Sequence, residues 1–286
     1  MDSIRLGFKA FDPHELLPHV LAERLGFYRE ANLKVSLEDT TYRNDEYLSG
    51  RFFTPACGAA LHSALRGYPQ RVVLAATDRP MFWLCSDKVA GIQDLEGSTI
   101  ASFPFPSPPH TFLRIILRQN RIDPDRDVRI LPVRDDFARL GLLRRGEVDS
   151  IVLSSARVGS LKEETSYLTR IFFGDYLRVV SSGLATTQKL IEDDPCLVER
   201  MTGALRKALI ALYEEPEEAV SAISGLVDGN SVYSRTTYLK LRDYFNPTGQ
   251  TSREYSQNSI RLVAAELGIQ DPPGVNYIYD SAAILS

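Results

Sequence analysis

Short apolar segments alternate with helical segments in the first part of the sequence, and this alternation restricts the fold more than any other feature. Period-two and fully apolar runs predict strands, whereas apolar residues three and four positions apart predict helices. The predicted strands are 4–8, 33–37, 51–54 and 71–76, and the predicted helices between them are 13–24, 44–49 and 58–66. This β-α-β-α-β-α-β order is typical of an α/β protein.

The first predicted helix carries the clearest boundary signals. Asp12 is predicted to be its N-cap and Pro13 its first residue, with Glu15 in the first turn. Gly26 follows its predicted end near Arg24, where a left-handed residue commonly terminates a helix. The sequence therefore fixes both ends of this element.

A second, shorter α/β series follows a predicted strand at 81–86, and the chain is mainly helical from Thr186 onward. The second series has predicted strands at 99–103, 128–133, 149–153, 169–173 and 177–182, and helices at 110–120 and 136–145. The later helices are predicted at 187–193, 195–214, 216–226, 238–245 and 252–267. This order fits a chain that crosses between two lobes twice, near 82–88 and near 178–185. We therefore expect residues 1–84 and 182–286 to form lobe 1 and residues 85–181 to form lobe 2.

Charge and cysteine content argue against several classes of function. The 286 residues have a formal net charge of −4 with acids and bases well mixed, which is atypical of nucleic-acid binding. The three cysteines have no CxxC spacing and no adjacent histidine pattern, so no metal site and no cofactor are predicted. No apolar run of about 18 residues predicts a membrane span. No export signal precedes the first strand, so we expect a cytoplasmic protein, or a periplasmic one if a signal was trimmed.

A set of short motifs keeps a fixed order over most of residues 4–225. The motifs are Pro18-x3-Ala22-x3-Gly26-Phe27-Tyr28, Leu33-Lys34-Val35, Leu48-Ser49-Gly50-Arg51-Phe52, Gly67-Tyr68-Pro69, Val72-Val73-Leu74-Ala75-Ala76, Gly91-Ile92-Gln93-Asp94-Leu95-Glu96-Gly97-Ser98-Thr99-Ile100, Gly146-Glu147-Val148-Asp149 and Asp194-Pro195-x-Leu197-Val198. The set resembles the nitrate/sulfonate/taurine-type and thiamine-precursor-type substrate-binding proteins of ABC transporters. This resemblance implies the two-lobed type II periplasmic-binding-protein fold, hinge closure on a ligand, an ABC permease as partner and a monomeric protein. Phe53-Thr54-Pro55 departs from the family, whose members often have Asp there, and this puts the ligand class in question.

Candidate site residues lie where predicted strands lead into helices. In open α/β sheets, ligands bind at the carboxyl ends of strands, where helix N-termini present free N–H groups. The candidate ligand-binding residues are Asp12, His14, Tyr42, Cys57, Gly58, Arg79, Phe105, Ser107, His110 and Ser154. No residue is assigned a catalytic role.

Each candidate also has a structural explanation. Asp12 could contact the ligand or only cap its helix, and His14 could donate to a carboxylate or lie exposed at the helix start. Cys57 could be a nucleophile at a helix N-terminus or a small buried residue that lets the backbone approach a ligand. Arg79 could bind an oxyanion, or pair with Asp78 or Asp87.

The aromatic and proline-rich candidates have similar alternatives. The loop 104–109 has four prolines, so it is stiff and offers few N–H donors. Phe105 on this loop could stack on an aromatic ligand, or the loop could be purely structural. Tyr42 and the pair Phe82-Trp83 could line the pocket or belong to the core.

Two functions remain open at this point. The first is binding of a small organic ligand, anionic and partly apolar or aromatic, as the solute-binding component of an ABC importer. The second is an enzyme on the same fold, resembling a decarboxylase, dehydratase or desulfinase, that acts on a small organic acid through Asp12, His14, Arg79 and Asp135. The related thiamine-pyrimidine synthases carry a Cys/His-rich iron motif that this sequence lacks, and GxSxG, Walker A, GxGxxG and HExxH motifs are also absent.

Overall fold

The computed structural model describes residues 1–9, 12–40, 50, 52–157, 167–227 and 231–285. Within these residues, the strands form two five-stranded sheets and one two-stranded sheet. The first sheet has the order β2-β1-β3-β10-β4, and the second has the order β7-β6-β8-β5-β9. The strands of the first sheet are β1 (Asp2–Phe8), β2 (Leu33–Asp39), β3 (Phe52–Thr54), β4 (Gln70–Thr77) and β10 (Ser182–Thr187). Those of the second are β5 (Phe82–Ser86), β6 (Thr99–Ser102), β7 (Arg129–Pro132), β8 (Ser150–Ser154) and β9 (Thr169–Phe172). The short strands β11 (Thr251–Ser252) and β12 (Ile284–Leu285) pair in parallel.

Both sheets are mixed. In the first sheet, β1 runs parallel to β2 and β3, whereas β10 is antiparallel to β3 and β4. In the second sheet, β6 runs parallel to β7 and β8, whereas β5 is antiparallel to β8 and β9. The chain enters the second sheet between Thr77 and Phe82 and returns between Phe172 and Ser182. The predicted α/β class with two crossovers is confirmed, while the lobe boundaries stay a prediction.

Helices connect and flank the strands. The earlier helices are α1 (Pro13–Arg24), α2 (Phe27–Glu30), α3 (Cys57–Leu65), α4 (Pro108–Gln119) and α5 (Asp136–Arg144). The later helices are Gln188–Asp193, Pro195–Glu214, Pro216–Val227, Ser231–Leu241, Arg253–Glu266 and Val275–Ile278. Single 3₁₀ turns occur at Ile92–Leu95, Ser155–Arg157, Phe173–Asp175, Arg242–Tyr244 and Ser281–Ala283. In the part of the chain that the structure describes, no helix is long and apolar enough to span a membrane.

The boundaries of α1 are those predicted. The Asp12 carboxylate accepts a hydrogen bond from the His14 amide, Pro13 is the first helical residue, and Gly26 has a φ of +79° after the helix end. The helix Pro195–Glu214 also has its predicted bounds, with the Asp194 side chain accepting from the Leu197 amide. Both helices therefore begin at an aspartate cap followed by proline.

The predicted strand at 177–182 is wrong, because β10 begins only at Ser182. Residues 177–181 form the returning crossover, and two of their amides donate hydrogen bonds to the segment through which the chain leaves the first sheet. The Val179 amide donates to the Asp78 carbonyl at 2.9 Å, and the Ser181 amide donates to the Thr77 carbonyl at 3.1 Å. The segment is apolar because it is buried between helices and sheets, not because it pairs in a ladder. The helix predicted at 238–245 begins earlier, at Ser231, and the helix predicted at 44–49 lies outside the described residues.

Two apolar clusters form the core, and each draws on both sheets. One cluster joins Leu6 of β1 to Trp83 of β5 and Ile151 of β8. The other joins Val72 of β4 to Leu84 of β5. The two sheets are therefore packed into one continuous structure around the site described next.

Candidate ligand-binding cleft

A cavity of about 1030 Å³ is lined by residues that follow strands of both sheets. The first sheet contributes the beginnings of α1 and α3, and the second contributes residues 103–109 and the beginning of α5. Four helices therefore begin at the cavity wall. Because the N-terminus of a helix carries partial positive charge, this arrangement favours a negatively charged ligand.

The four helix starts differ in how they are capped. Asp12 caps α1, and Asp135 caps α5 by accepting from the Ala138 amide at 2.8 Å. No side chain caps α3 or α4. Ser107, at the N-cap position of α4, donates its hydroxyl to the Pro104 carbonyl at 2.6 Å instead. The N-terminal N–H groups of α3 and α4 are thus the ones that no side-chain cap occupies.

Asp12 and His14 form a buried pair at the start of α1. The Asp12 Oδ1 atom accepts from the His14 amide at 3.1 Å, from His14 Nδ1 at 2.8 Å and from the Ser155 hydroxyl. Its Oδ2 atom accepts from the Ala156 amide at 3.1 Å. Ser155 and Ala156 follow β8, so this cluster ties the helix after β1 to the second sheet.

The pKa of each member of the pair is shifted toward its charged form. Burial raises the pKa of Asp12, but the neighbouring His14 ring and the hydrogen bonds from His14 and Ser155 outweigh it and bring that pKa to about 2. Burial lowers the pKa of His14, but the charge and hydrogen bond of Asp12 outweigh it and raise that pKa above its usual value. Each group therefore stabilises the charged form of the other.

A second polar cluster lies at the start of α5. The Asp136 Oδ2 atom accepts from the Ser154 hydroxyl at 2.7 Å, and its Oδ1 atom accepts from the buried Arg139 guanidinium. Arg139 also donates to the Arg134 carbonyl at 2.9 Å and lies 3.9 Å from the centroid of the Phe103 ring. Burial raises the pKa of Asp136 even though Arg139 opposes this.

Aromatic rings form the apolar part of the cavity wall. Phe82 contacts Phe103 edge to face with ring centroids 5.5 Å apart, and contacts His14 similarly at 5.4 Å. Phe105 lines the cavity with 67% of its surface exposed. The cavity can therefore accommodate a ligand with an apolar or aromatic body.

His62 joins the two uncapped helices at the cavity wall. Its Nδ1–H donates to the Gly58 carbonyl at 2.7 Å, and its Nε2 accepts from the Thr111 hydroxyl at 3.0 Å. Gly58 packs closely here, since a Cβ atom at this position would lie 3.4 Å from Phe112 and from Pro108. These contacts hold the N-terminal ends of α3 and α4 next to each other.

Six of the predicted site residues lie on the cavity wall, and their contact with a ligand stays a prediction. They are Asp12, His14, Gly58, Phe105, Ser107 and Ser154. Tyr42 lies outside the described residues. Three others, Cys57, Arg79 and His110, are not among the lining residues.

The three exceptions have local explanations. Cys57 is fully buried, its Sγ lies 3.8 Å from the Leu74 carbonyl, and burial raises the pKa of its thiol, which does not suit a nucleophile. Arg79 donates to the Gly174 carbonyl at 2.9 Å and pairs with Asp175 at 3.6 Å, rather than with Asp78 or Asp87.

His110 supports the proline-rich loop, because its Nδ1–H donates to the Phe103 carbonyl at 3.1 Å. Trp83 points to the other face of β5 from Phe82 and stacks on Phe172 with centroids 4.9 Å apart, so it belongs to the core.

Several residues that line the cavity are not among the candidates predicted from the sequence. The charged ones are Lys9, Glu15, Arg66, Arg134, Asp136 and Arg157, and the uncharged ones include His62, Phe103 and Ser181. Asp136 could have been predicted from the sequence for the same reason as Asp12, because it lies in the first turn of a helix that follows a predicted strand. In the described ranges, no group of three or more His, Cys, Asp or Glu side chains is arranged to hold a metal ion.

Residues 14–219 match the family model described as NMT1/THI5 like. The chain belongs to this family. No curated protein matches the sequence. Among solved structures, the periplasmic aliphatic sulphonate binding protein SsuA from Escherichia coli has a TM-score of 0.75 and 14% identity, over 96% of this chain and 96% of that chain.

Two further structures have the same fold. The alkanesulfonate-binding protein SsuA from Xanthomonas axonopodis pv. citri, bound to MOPS, has a TM-score of 0.70 and 15% identity, over 99% of this chain and 98% of that chain. The desulfurization enzyme DSZB has a TM-score of 0.60 and 12% identity, over 98% of this chain and 97% of that chain. At these identities the likeness shows the fold, so the predicted periplasmic-binding-protein fold is confirmed.

Proposed function

We propose that this protein binds a small organic anion with an apolar or aromatic body, as the solute-binding component of an ABC importer. The observation that carries this proposal is the convergence of four helix N-termini, two of them uncapped, on one cavity with a phenylalanine wall. The helix ends and basic side chains suit an acidic group, and the rings suit the rest of the ligand. The partner would be an ABC permease, and the location would be the periplasm if an export signal precedes the chain.

The fold and family support this function. Two structural relatives are named as sulfonate-binding proteins, and one of them was solved with a bound sulfonate buffer, MOPS. A sulfonate or sulfinate of moderate size is therefore the first ligand class to test.

The enzymatic alternative has less support in the cleft. Ser155, His14 and Asp12 are close together, but the Ser155 hydroxyl donates to Asp12 and lies 3.3 Å from His14 Nδ1, the same nitrogen that contacts Asp12. The imidazole therefore does not bridge a serine to an aspartate, as it does when it activates a nucleophile. Cys57 is buried with a raised thiol pKa. These two groups do not provide an activated nucleophile.

A ligand panel tests the proposed function. Alkanesulfonates, benzenesulfonate, benzenesulfinate and benzoate would be compared with inorganic sulfate by thermal unfolding and then by calorimetry. A true ligand at about 100 times its Kd should stabilise the protein by about 2.7 kcal/mol. We expect organic anions to do so and sulfate not to, because sulfate cannot use the apolar wall. Stabilisation by no member of the panel, or chemical conversion of a bound member, would contradict the proposal.

A matched pair of variants locates the binding. Phe105→Ala removes an exposed ring on the cavity wall, and Tyr277→Ala removes an exposed ring elsewhere. Loss of an aromatic contact is worth about 1 kcal/mol, so Phe105→Ala should weaken benzenesulfonate about fivefold and methanesulfonate much less. Tyr277→Ala should leave both affinities unchanged.

A further inference from the structure

The His14 ring has one nitrogen that the buried cluster does not use. The residue is only 2% exposed and lies on the cavity wall. Its Nδ1 atom is 2.8 Å from Asp12 Oδ1, whereas its Nε2 atom has no hydrogen-bond partner among the residues that the structure describes. A ring nitrogen without a protein partner, on a residue that lines a cavity, is positioned for a ligand atom.

The proton on Nδ1 determines what Nε2 can bind. The Asp12 carboxylate is ionised and only accepts hydrogen bonds, so Nδ1 must carry a proton. In the neutral ring, Nε2 then has a bare lone pair, which repels an anion. In the imidazolium, Nε2 carries the second proton and donates a charge-assisted hydrogen bond.

We propose that His14 binds the acidic group of the ligand through Nε2–H as an imidazolium, so that ligand binding is coupled to protonation of this ring. This inference rests on the proposed function of the cleft, and it assigns recognition of the ligand's negative charge to His14. Asp12 acts as a positioning residue, since it fixes the tautomer and the orientation of the ring.

The charges around His14 favour this coupling. Asp12 and Glu15, from the same helix start, both raise the pKa of the ring. The elements packed against it bring uncharged groups, namely Ser155 after β8 and Phe82 on β5. Asp136 on α5 interacts with Asp12 rather than adding a charge directly to the ring.

The sign of the pH dependence follows from this geometry. A bound anion adds a further negative charge, so it raises the pKa of His14 beyond its value in the free protein. Affinity is therefore highest below the free-protein pKa and falls as the pH rises above it, by up to about tenfold per pH unit. In that falling region, the protein takes up a proton when the ligand binds.

Calorimetry with benzenesulfonate tests the inference. This probe stays ionised across the whole range, so any pH dependence belongs to the protein. Affinity and proton uptake would be measured from about pH 6 to 9.5, using buffers with different heats of ionisation, for the wild type, His14→Gln and His19→Gln. His19 is the control, because its ring nitrogens bond to the Tyr28 hydroxyl and the Gly183 carbonyl and it lies outside the cavity lining.

We expect His14→Gln to bind benzenesulfonate at least about tenfold more weakly at the lowest pH and with a nearly flat pH profile. His19→Gln should follow the wild type. The neutral analogue benzenesulfonamide should bind the wild type less tightly than benzenesulfonate, and its affinity should change little on His14→Gln. Equal affinity and equal pH dependence in the wild type and His14→Gln would overturn the inference.

A measurement on the wild type covers the case in which His14→Gln does not fold. Nitrogen-15 NMR of the imidazole rings should show both nitrogens of His14 protonated in the benzenesulfonate complex. An unprotonated Nε2 in that complex would refute the inference while leaving the proposed function intact. Failure of benzenesulfonate and of every other organic anion to bind at any pH would instead contradict the proposed function itself.

Discussion

Asp12 shows how a charged side chain can be buried in this protein. It is 1% exposed, yet its two oxygens accept hydrogen bonds from His14, Ser155 and Ala156. A buried charge is tolerated only when its partners satisfy it, and here the partners lie in segments that follow strands of two different sheets. The same contacts that cap α1 therefore also define the wall of the cleft.

The Asp12–His14 pair should make the free energy of unfolding depend on pH in two separate ranges, one acidic and one above pH 6.5. The pKa of Asp12 falls from 3.8 to about 2 on folding, so its contribution is present above about pH 4 and is lost as the pH falls toward 2. The pKa of His14 rises on folding, so its contribution is complete below the unfolded value of 6.5 and is lost as the pH rises through the folded value.

Asp12→Asn should therefore lower the free energy of unfolding by about 2 kcal/mol near pH 6. It should also reduce the pH dependence of that free energy in both ranges. Urea unfolding followed by circular dichroism at several pH values measures this. Asp135→Asn is the control, since Asp135 also caps a helix but is exposed, and Asn caps nearly as well as Asp. Equal losses in the two variants would show that the buried pair contributes no more than a helix cap.

The sequence predicted the positions of site residues better than the directions of their side chains. Asp12, His14 and Gly58, which line the cavity, could be selected because strand ends and helix starts can be located from local patterns. Arg79 was expected in the cleft, but its guanidinium donates to the Gly174 carbonyl on the returning crossover and it is not among the lining residues. The contact of Ser155 with Asp12 joins residues 143 positions apart, and no local pattern encodes such a separation.

At the scale of elements, local signals predicted helices more reliably than strand pairing. The helices that begin with aspartate and proline have their predicted bounds. The apolar run 177–182 gave a false strand, because a buried crossover and a buried strand have the same composition. The antiparallel insertion of β10 between β3 and β4 depends on tertiary packing that the sequence pattern does not show.

Gly183 shows what this insertion requires. It lies in β10 where the register with β4 shifts, and its φ is +154°. A Cβ atom there would lie 2.0 Å from the Leu74 carbonyl oxygen. Only glycine allows the backbones of β10 and β4 to approach this closely.

Gly183→Ala should therefore destabilise the protein by about 3 kcal/mol, because either β10 or β4 must move. Gly203→Ala is the opposite case, since this exposed residue lies inside the helix Pro195–Glu214 with open space around it. That variant should gain about 0.5–1 kcal/mol from helix propensity. Urea unfolding at constant pH compares the two, and a loss of stability in both would contradict the explanation from close approach.

At the scale of the whole molecule, the two crossovers hold the sheets together. Arg178 on the returning segment pairs with Asp78 on the outgoing one. The Ser181 hydroxyl lies 2.8 Å from the Thr77 hydroxyl and 2.9 Å from the Arg79 carbonyl. Because Ser181 also lines the cavity, a ligand in the cleft would lie next to the returning crossover.

The apolar clusters lead to a prediction about cooperativity. Leu209, in the helix Pro195–Glu214, and Trp83, in the second sheet, belong to the same cluster. Since Trp83 is the only tryptophan, its fluorescence reports on the second sheet, while circular dichroism reports on the whole chain. If the shared cluster joins the sheets energetically, both signals should have one common unfolding midpoint.

Leu209→Ala tests this directly. The side chain is fully buried, so its truncation should cost about 3 kcal/mol, and the Trp83 transition should shift to lower urea by the same amount as the circular dichroism transition. Ile210→Ala, one residue along and 44% exposed, should shift neither by more than about 1 kcal/mol. An unchanged Trp83 midpoint in Leu209→Ala would mean that the second sheet unfolds independently. In that case the shared cluster would be only a contact surface between two separately stable lobes, and stabilisation by a ligand in the cleft would come from joining them.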